Sequence, residues 1–177
     1  LVLAGSIPVT MPSDIYEQII KKLQDKNVTI IVDATKDLLL NVLKYHPFLI
    51  KPNHHELGEI FGVELSEWED VVPYAKKLQE MGAVNVLVSM GGKGALYLTK
   101  TETIYAEGLI VPVGSTVGAG DSVVAALALS EEKGMSLEET VRLSTATGAA
   151  NVMCSGTQAA EYEVISELIS KVAMHTM

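Results

Sequence analysis

The sequence has 177 residues, of which 48% are hydrophobic and 20% charged, which is the balance of a globular protein with one large core. Its net charge of −9 argues against a nucleic-acid partner, because such proteins present a basic face. The single cysteine, Cys154, excludes an internal disulfide framework and cysteine-based zinc modules. No apolar run approaches the roughly 20 residues of a membrane span and no signal peptide is recognisable, so we expect a cytoplasmic protein without a membrane partner.

Short apolar runs alternate with segments of helical period over the first ninety residues. Buried strands are predicted at 1–4, 28–32, 48–50 and 84–88. Helices are predicted from Pro12-Ser13-Asp14, around 38–43, from near Asn53, and from a capping box of Ser66 and Glu69 to about Met81. This alternation predicts an α/β fold, a mostly parallel sheet with helices on both faces.

The second half of the sequence is mostly helical. A hairpin is predicted from 95–98 and 103–106, followed by helices over 118–132, after a cap of Ser136 and Glu139, and from about Tyr162. We expect one α/β domain over 1–177. The chain opens at Leu1 inside an apolar run and without an initiator methionine, which predicts a fragment.

The loops beyond the strand ends are where such a sheet binds ligands, which directs attention to the residues after 4, 32, 50, 88 and 113. The last of these loops holds Gly118-Ala119-Gly120-Asp121 at the start of a helix. Backbone amides without side-chain cover at a helix N-terminus form an anion site, which the helix dipole strengthens. Asp121 has a second interpretation, since acidic residues are favoured in a first turn in any case.

Other interpretations of these loops stay open or fail on the spacing. No lysine follows Gly118 or Gly120, so a P-loop is excluded, and Val123 stands where a dinucleotide fingerprint needs its third glycine. Taken alone, the segment 91–94 fits a tight hairpin turn equally well, and Lys51 and Glu56 would be ordinary surface charges. The pair His54-His55 lacks the spacing of a zinc site.

Three motifs carry a resemblance to a known family. Asn53-x-x-Glu56, Ser89-x-Gly91-x-x-Gly94 and Gly118-Ala119-Gly120-Asp121 occur in this order in the ribokinase-like (PfkB) carbohydrate kinases, which the sequence resembles over its whole length. The match corresponds to the C-terminal half or more of such a kinase. The family's sugar-contacting residues and small β-sheet lid lie largely in its N-terminal part, which we expect to be absent here.

The resemblance implies a role for each matching residue. Asp121 is the implied catalytic base, and the implied anion hole is formed by Gly118, Ala119 and Gly120. Asn53 and Glu56 are the implied Mg²⁺ ligands, through water. The implied nucleotide-binding residues are Lys51, Asn53, Ser89, Gly91, Gly94 and, on the adenine side, Asn151. Ser6, in a Gly-Ser-Ile-Pro turn, is the implied contact to the substrate's own phosphate.

The implied activity is transfer of a phosphoryl group from ATP to a phosphosugar hydroxyl. The segments 51–57 and 115–122 are most similar to the family members that convert fructose 1-phosphate to fructose 1,6-bisphosphate, with those acting on tagatose 6-phosphate close behind. ATP is the implied co-substrate, and a homodimer is the implied assembly of the full-length enzyme. The alternative from another class is a non-catalytic module that binds a nucleotide or a sugar phosphate.

Overall fold

The computed structural model describes residues 1–177 and forms two compact units. Unit 1 contains residues 1–89 and 96–103, and unit 2 contains residues 90–95 and 104–177. The strands are β1 (Val2–Ala4), β2 (Ile31–Asp33), β3 (Leu49–Ile50), β4 (Asn85–Ser89), β5 (Gly94–Leu98), β6 (Thr103–Glu107) and β7 (Met174–Thr176). The helices are α1 (Ile15–Leu23), α2 (Lys36–Leu43), α3 (His54–Phe61), α4 (Trp68–Glu80), α5 (Ala119–Lys133), α6 (Leu137–Val152) and α7 (Tyr162–Ile169).

The seven strands form one sheet in the order β1-β2-β3-β4-β5-β6-β7. The pairs β1–β2, β2–β3 and β3–β4 are parallel, and β6–β7 is antiparallel. The predicted fold class, a mostly parallel sheet with helices, is therefore confirmed. None of the seven helices combines the length and apolar composition that a bilayer crossing requires.

The parallel strands of unit 1 are apolar because both of their faces are covered. Val32, Ile50 and Val86 have no exposed surface, and each fully buried side chain of this size contributes about 1.5–3 kcal/mol relative to exposure. Leu3 lies opposite Val32, and Ile50 lies opposite Val86. This register brings the carboxyl ends of β1, β2 and β3 to one edge of the sheet.

Unit 2 is built on helices α5, α6 and α7, with β6 and β7 beside them. The helices α5 and α6 approach closely at Gly148, where an added Cβ would lie 2.8 Å from Cγ2 of Val123. A capping box begins α6 as predicted: the Ser136 backbone amide donates to Oε2 of Glu139 at 2.8 Å, and the Glu139 amide donates to Oγ of Ser136 at 3.3 Å.

Two local predictions in unit 1 are wrong in their boundaries. The strand expected at 28–32 begins only at Ile31, because residues 28 and 29 are exposed. The capping box expected of Ser66 and Glu69 lies one residue further on, where the Glu67 amide donates to Oδ2 of Asp70 at 3.4 Å. The Ser66 hydroxyl instead donates to Oε1 of Glu67 at 3.2 Å.

One prediction in unit 2 also fails, and one strand was not predicted. No strand ends at Val113: β6 ends at Glu107, Ile110 is fully exposed and Val113 is 69% exposed. Pro112 lies within the apolar segment 109–113, and it lacks the backbone N–H that pairing with a neighbouring strand needs. No apolar pattern in the sequence indicates β7, because this strand is only three residues long and is polar at His175 and Thr176.

Candidate functional site

A buried ion pair lies at the carboxyl ends of two neighbouring strands in unit 1. Asp33 is the last residue of β2, and Lys51 directly follows β3. Nζ of Lys51 lies 3.2 Å from Oδ1 of Asp33, and the two side chains are 6% and 19% exposed. Lys51 is therefore not an ordinary surface charge. Its backbone amide donates to the carbonyl of Val32 at 3.1 Å, which extends the sheet ladder to this residue.

The turn that contains Ser6 is joined to the same strand end. The amide of Gly5 donates to the Asp33 carbonyl at 3.0 Å. The hydroxyl of Tyr16 donates to the carbonyls of Ala4 at 2.7 Å and Gly5 at 3.0 Å. Burial raises the pKa of Tyr16, and the negative charge of Asp33 raises it further. Ser6 itself is exposed at the end of this turn.

Asn53 and Glu56 form the capping box that begins α3. The Glu56 amide donates to Oδ1 of Asn53 at 2.9 Å, and the Asn53 amide donates to Oε2 of Glu56 at 2.8 Å. Ser89 lies beside them: Asn53 and Ser89 are joined by a parallel β-bridge, and the Ser89 amide donates to the Pro52 carbonyl at 3.1 Å. Three of the predicted site residues thus meet at one place in unit 1.

These residues fit a hydrated Mg²⁺ ion better than an ion held by protein alone. The chain has no cluster of three or more His, Cys, Asp or Glu side chains suited to a metal. Mg²⁺ is usually held by one or two carboxylates, several waters and substrate phosphates. The capping box uses only Oε2 of Glu56, so the second carboxylate oxygen remains for a water of such an ion.

Gly94, which follows the turn at Gly91–Lys93 in unit 2, packs directly on the backbone at the end of β6. Gly94 has φ +107°, and an added Cβ would lie 1.9 Å from the Ala106 carbonyl oxygen and 2.6 Å from the Gly108 nitrogen. The Tyr105 hydroxyl donates to the Lys93 carbonyl at 2.7 Å. Close backbone packing alone therefore requires glycine at position 94, whatever ligand this turn contacts.

The start of α5 has the geometry of an anion site. Gly118 precedes the helix with φ +84°, and no side chain caps it. The amides of Gly120 and Asp121 belong to the first turn, where no helical carbonyl is available to accept their hydrogen bonds. The Asp121 side chain is exposed beside them. An uncapped N-terminus with a glycine entry and an adjacent carboxylate can hold an anion and accept a proton at the same place.

Asn151 on α6 lies beside this glycine entry. It is 4% exposed, and its Nδ2 donates to the Gln158 carbonyl at 3.1 Å. Its Oδ1 is buried without a hydrogen-bond partner and lies 3.7 Å from where a Cβ on Gly118 would stand. In unit 2 the structure thus brings together Asn151 and the predicted anion hole of residues 118–120, while Gly94 packs against residues 106–108.

The three sequence motifs do not include Asp33 and Tyr16, which the structure adds to the neighbourhood of Lys51. Their signals were weak. Asp33 follows an apolar strand, as many turn residues do, and Tyr16 occupies a regular apolar position of α1. Only the register of the strands shows that the Asp33 carboxylate faces the ammonium group of Lys51.

Comparisons with known proteins agree with these motifs. The model of the pfkB family of carbohydrate kinases matches residues 1–163. A 1-phosphofructokinase of Bacillus subtilis is 42% identical over 97% of this chain and 56% of its own length. A D-tagatose-1-phosphate kinase of Bacillus licheniformis is 35% identical over 88% of this chain and 52% of its own length.

The structural comparison gives the same result. The crystal structure of phosphofructokinase-2 from Escherichia coli in complex with substrates and products superimposes with a TM-score of 0.89 at 33% identity, covering 97% of this chain and 56% of that one. The chain thus spans about half the length of the curated relatives it matches.

Proposed function

This chain belongs to the pfkB family of carbohydrate kinases, and we propose that the protein transfers a phosphoryl group from ATP to the free hydroxyl of a phosphosugar, converting fructose 1-phosphate to fructose 1,6-bisphosphate. The observation that carries the proposal is the start of α5, where the glycine entry at Gly118 leaves the helix uncapped and Asp121 stands in the first turn. We also propose that the protein is cytoplasmic, where ATP is available as the co-substrate.

Gly118, Ala119 and Gly120 form the anion hole in this proposal. Phosphoryl transfer spreads negative charge over the three equatorial oxygens of the transferring group, and the protein's task is to position and neutralise that charge. Backbone amides at a helix N-terminus do this without reorganisation, and the helix dipole adds about half a positive charge. A local positive site is needed because the chain as a whole carries a net charge of −9.

Asp121 is the proposed catalytic base. A carboxylate in the first turn of α5 is close to the amides that would hold the phosphoryl group. From there it can accept the proton of the attacking sugar hydroxyl. General-base catalysis of this kind contributes about 10²- to 10⁴-fold to the rate. A module that only bound a nucleotide would need no base at this position.

Residues of unit 1 have proposed roles in holding the nucleotide phosphates. Lys51 is a compact positive charge for phosphate oxygens, and Ser89 lies next to Asn53. Asn53 and Glu56 would hold Mg²⁺ through water. That ion would neutralise charge on the nucleotide phosphates when bound. Ser6, exposed after β1, is the proposed contact to the phosphate that the sugar already carries.

Residues of unit 2 have the remaining proposed nucleotide contacts. Gly91 and Gly94 offer backbone without side chains at the turn after β4. Asn151 is supported by its buried and unpartnered Oδ1, an atom that normally has a hydrogen-bond donor in a folded protein. We also propose a homodimer for the full-length enzyme.

The choice of phosphosugar rests on relatives that act on different compounds. One is a 1-phosphofructokinase and another a D-tagatose-1-phosphate kinase, and the former is the more similar in sequence. Tagatose 6-phosphate remains the alternative that the sequence motifs favoured next.

The test is a coupled assay of ADP release by the full-length protein. Fructose 1-phosphate, fructose 6-phosphate, tagatose 1-phosphate and tagatose 6-phosphate are compared at equal concentrations. We expect the highest kcat/KM with fructose 1-phosphate. A higher value with another phosphosugar would reassign the substrate. ATP binding by calorimetry without ADP release on any of them would identify a non-catalytic binding module.

A further inference from the structure

We propose that Asp33 is a positioning residue that holds the ammonium group of Lys51 toward a phosphate oxygen of the bound nucleotide. The proposal rests on the proposed function, in which Lys51 contacts the nucleotide phosphates. The proposal adds to the site a carboxylate that no sequence motif identifies. It also explains why a negative charge lies beside a site that binds an anion.

The backbones on both sides of the ion pair are held by the sheet. Ala4 lies opposite Asp33 in the β1–β2 register, and the Asp33 carbonyl accepts the Gly5 amide at 3.0 Å. The Lys51 amide is held by the Val32 carbonyl at 3.1 Å. The remaining freedom therefore lies in the two side chains. A lysine has a flexible four-carbon stem, and the Asp33 carboxylate at 3.2 Å fixes where that stem ends.

The chemistry of the pair leaves donors for a ligand. An ammonium group has three N–H donors, and Oδ1 of Asp33 engages the ammonium from one side. The pair lies at the carboxyl ends of parallel strands, which is where open α/β sheets bind their ligands. The Lys51 side chain is 6% exposed, so its ammonium group is held beside Asp33 instead of extending into solvent.

Stability alone does not explain the pair. Burying two charges carries a desolvation cost that their attraction often fails to exceed, so well-packed apolar side chains would stabilise this strand end equally well. A purely electrostatic view also gives no reason for a carboxylate beside an anion site, since its charge repels phosphate. A positioning role for Asp33 does give a reason. Positioning predicts that removing the Asp33 charge weakens ATP binding, whereas charge repulsion predicts that it strengthens ATP binding.

The experiment measures binding of ATP, in the presence of Mg²⁺, and of adenosine to the full-length protein by calorimetry. The variants are Asp33→Asn, Lys51→Met and the double variant. The matched control is Glu59→Gln, which removes a carboxylate of the same unit from an exposed ion pair with Lys36. Adenosine has no phosphate, so it reports on the rest of the nucleotide site.

We expect Asp33→Asn and Lys51→Met each to weaken ATP binding by about 10- to 100-fold, the range for a lost charge-assisted hydrogen bond. Adenosine binding should change less than about twofold, and Glu59→Gln should match wild type for both ligands. If Asp33 acts through Lys51, the double variant binds ATP no more weakly than Lys51→Met. Asp33→Glu, which keeps the charge, should regain part of the loss.

Several results would overturn the proposal. One is ATP binding by Asp33→Asn that equals or exceeds that of wild type, as charge repulsion alone predicts. Another is a loss of ATP affinity in the double variant that equals the product of the losses in Asp33→Asn and Lys51→Met. Should Asp33→Asn fail to fold, Asp33→Glu decides: its ATP affinity must fall below that of wild type while its adenosine affinity does not. Wild-type protein that binds neither ligand refutes the proposed function itself.

Discussion

The glycine at position 94 tests whether a residue of the Ser89-x-Gly91-x-x-Gly94 motif is needed for packing or for ligand binding. Its backbone has φ +107° and ψ −141°, a region that only glycine occupies readily. Placing alanine there costs about 1–3 kcal/mol in backbone strain. The new Cβ would also lie 1.9 Å from the Ala106 carbonyl oxygen, and this is backbone that moves little. Overpacking of this kind costs a further 1–3 kcal/mol or so.

We therefore expect Gly94→Ala to lower the free energy of unfolding of the chain by about 2–6 kcal/mol. Gly91→Ala is the matched control in the same turn, because Gly91 has φ +58° but no atom within 4 Å of an added Cβ. It should cost only about 1–2 kcal/mol. Urea denaturation followed by circular dichroism measures both variants. Equal losses of unfolding free energy in the two variants would refute the packing argument, and ligand binding would then be the only proposed role of Gly94.

Three further substitutions test the site and one helix start. Asp121→Asn in the full-length enzyme should leave ATP affinity nearly unchanged while lowering kcat by at least about 10²-fold; kcat within a few-fold of wild type would remove Asp121 from the base role. Glu56→Gln should shift the dependence of activity on Mg²⁺ more than the KM for the sugar, and a Mg²⁺ titration identical to that of wild type would leave Glu56 only its part in the α3 capping box. Ser136→Ala should lower the thermal midpoint at pH 7. Hydrogen bonds from Ser136 hold the pKa of Glu139 below its ordinary 4.5, so this stabilisation is present above pH 4.5 and lost as the pH falls through the lower folded value; a loss that does not shrink as the pH is lowered through that range would contradict it.

Short-range chemistry made much of this fold predictable. The cap at Ser136 depends on a residue three positions away, so it was visible in the sequence, and it is confirmed. The helix predicted from near Asn53 is also confirmed, and the structure adds that Asn53 is its cap. The buried strands were visible because their apolar side chains are consecutive. The error at Ser66 is of the same local kind, since Glu67 and Asp70 compete with Ser66 and Glu69 for the start of one helix.

Long-range register is what the sequence does not reveal. Asp33 and Lys51 are separated by a whole helix, and their contact depends on the alignment of β2 with β3. The role of Gly94 likewise depends on its contact with the backbone of residues 106–108, which no local sequence pattern predicts. The burial of Lys51 also depends on strand register, so the sequence alone was consistent with a surface charge at this position. Motifs therefore identified candidate residues, whereas the structure supplied the partners that explain them.

Nucleotide binding and turnover place different demands on this chain. The proposed phosphate contacts at Lys51 and at the amides of residues 118–120 are fixed by their own strands and helices, so the 177-residue chain alone should bind Mg-ADP, though weakly. Turnover also needs the sugar hydroxyl held in line about 3–3.5 Å from the phosphorus, and misplacement by 1 Å can cost about 10²-fold. The chain spans 56% of the length of its B. subtilis relative, and we expect sugar contacts and water exclusion to come from the remainder. Calorimetry and the coupled assay on the same sample test both halves: fructose 1-phosphate-dependent ADP release by these residues would place the sugar site within them, and folded protein without nucleotide affinity would refute the anion site at α5.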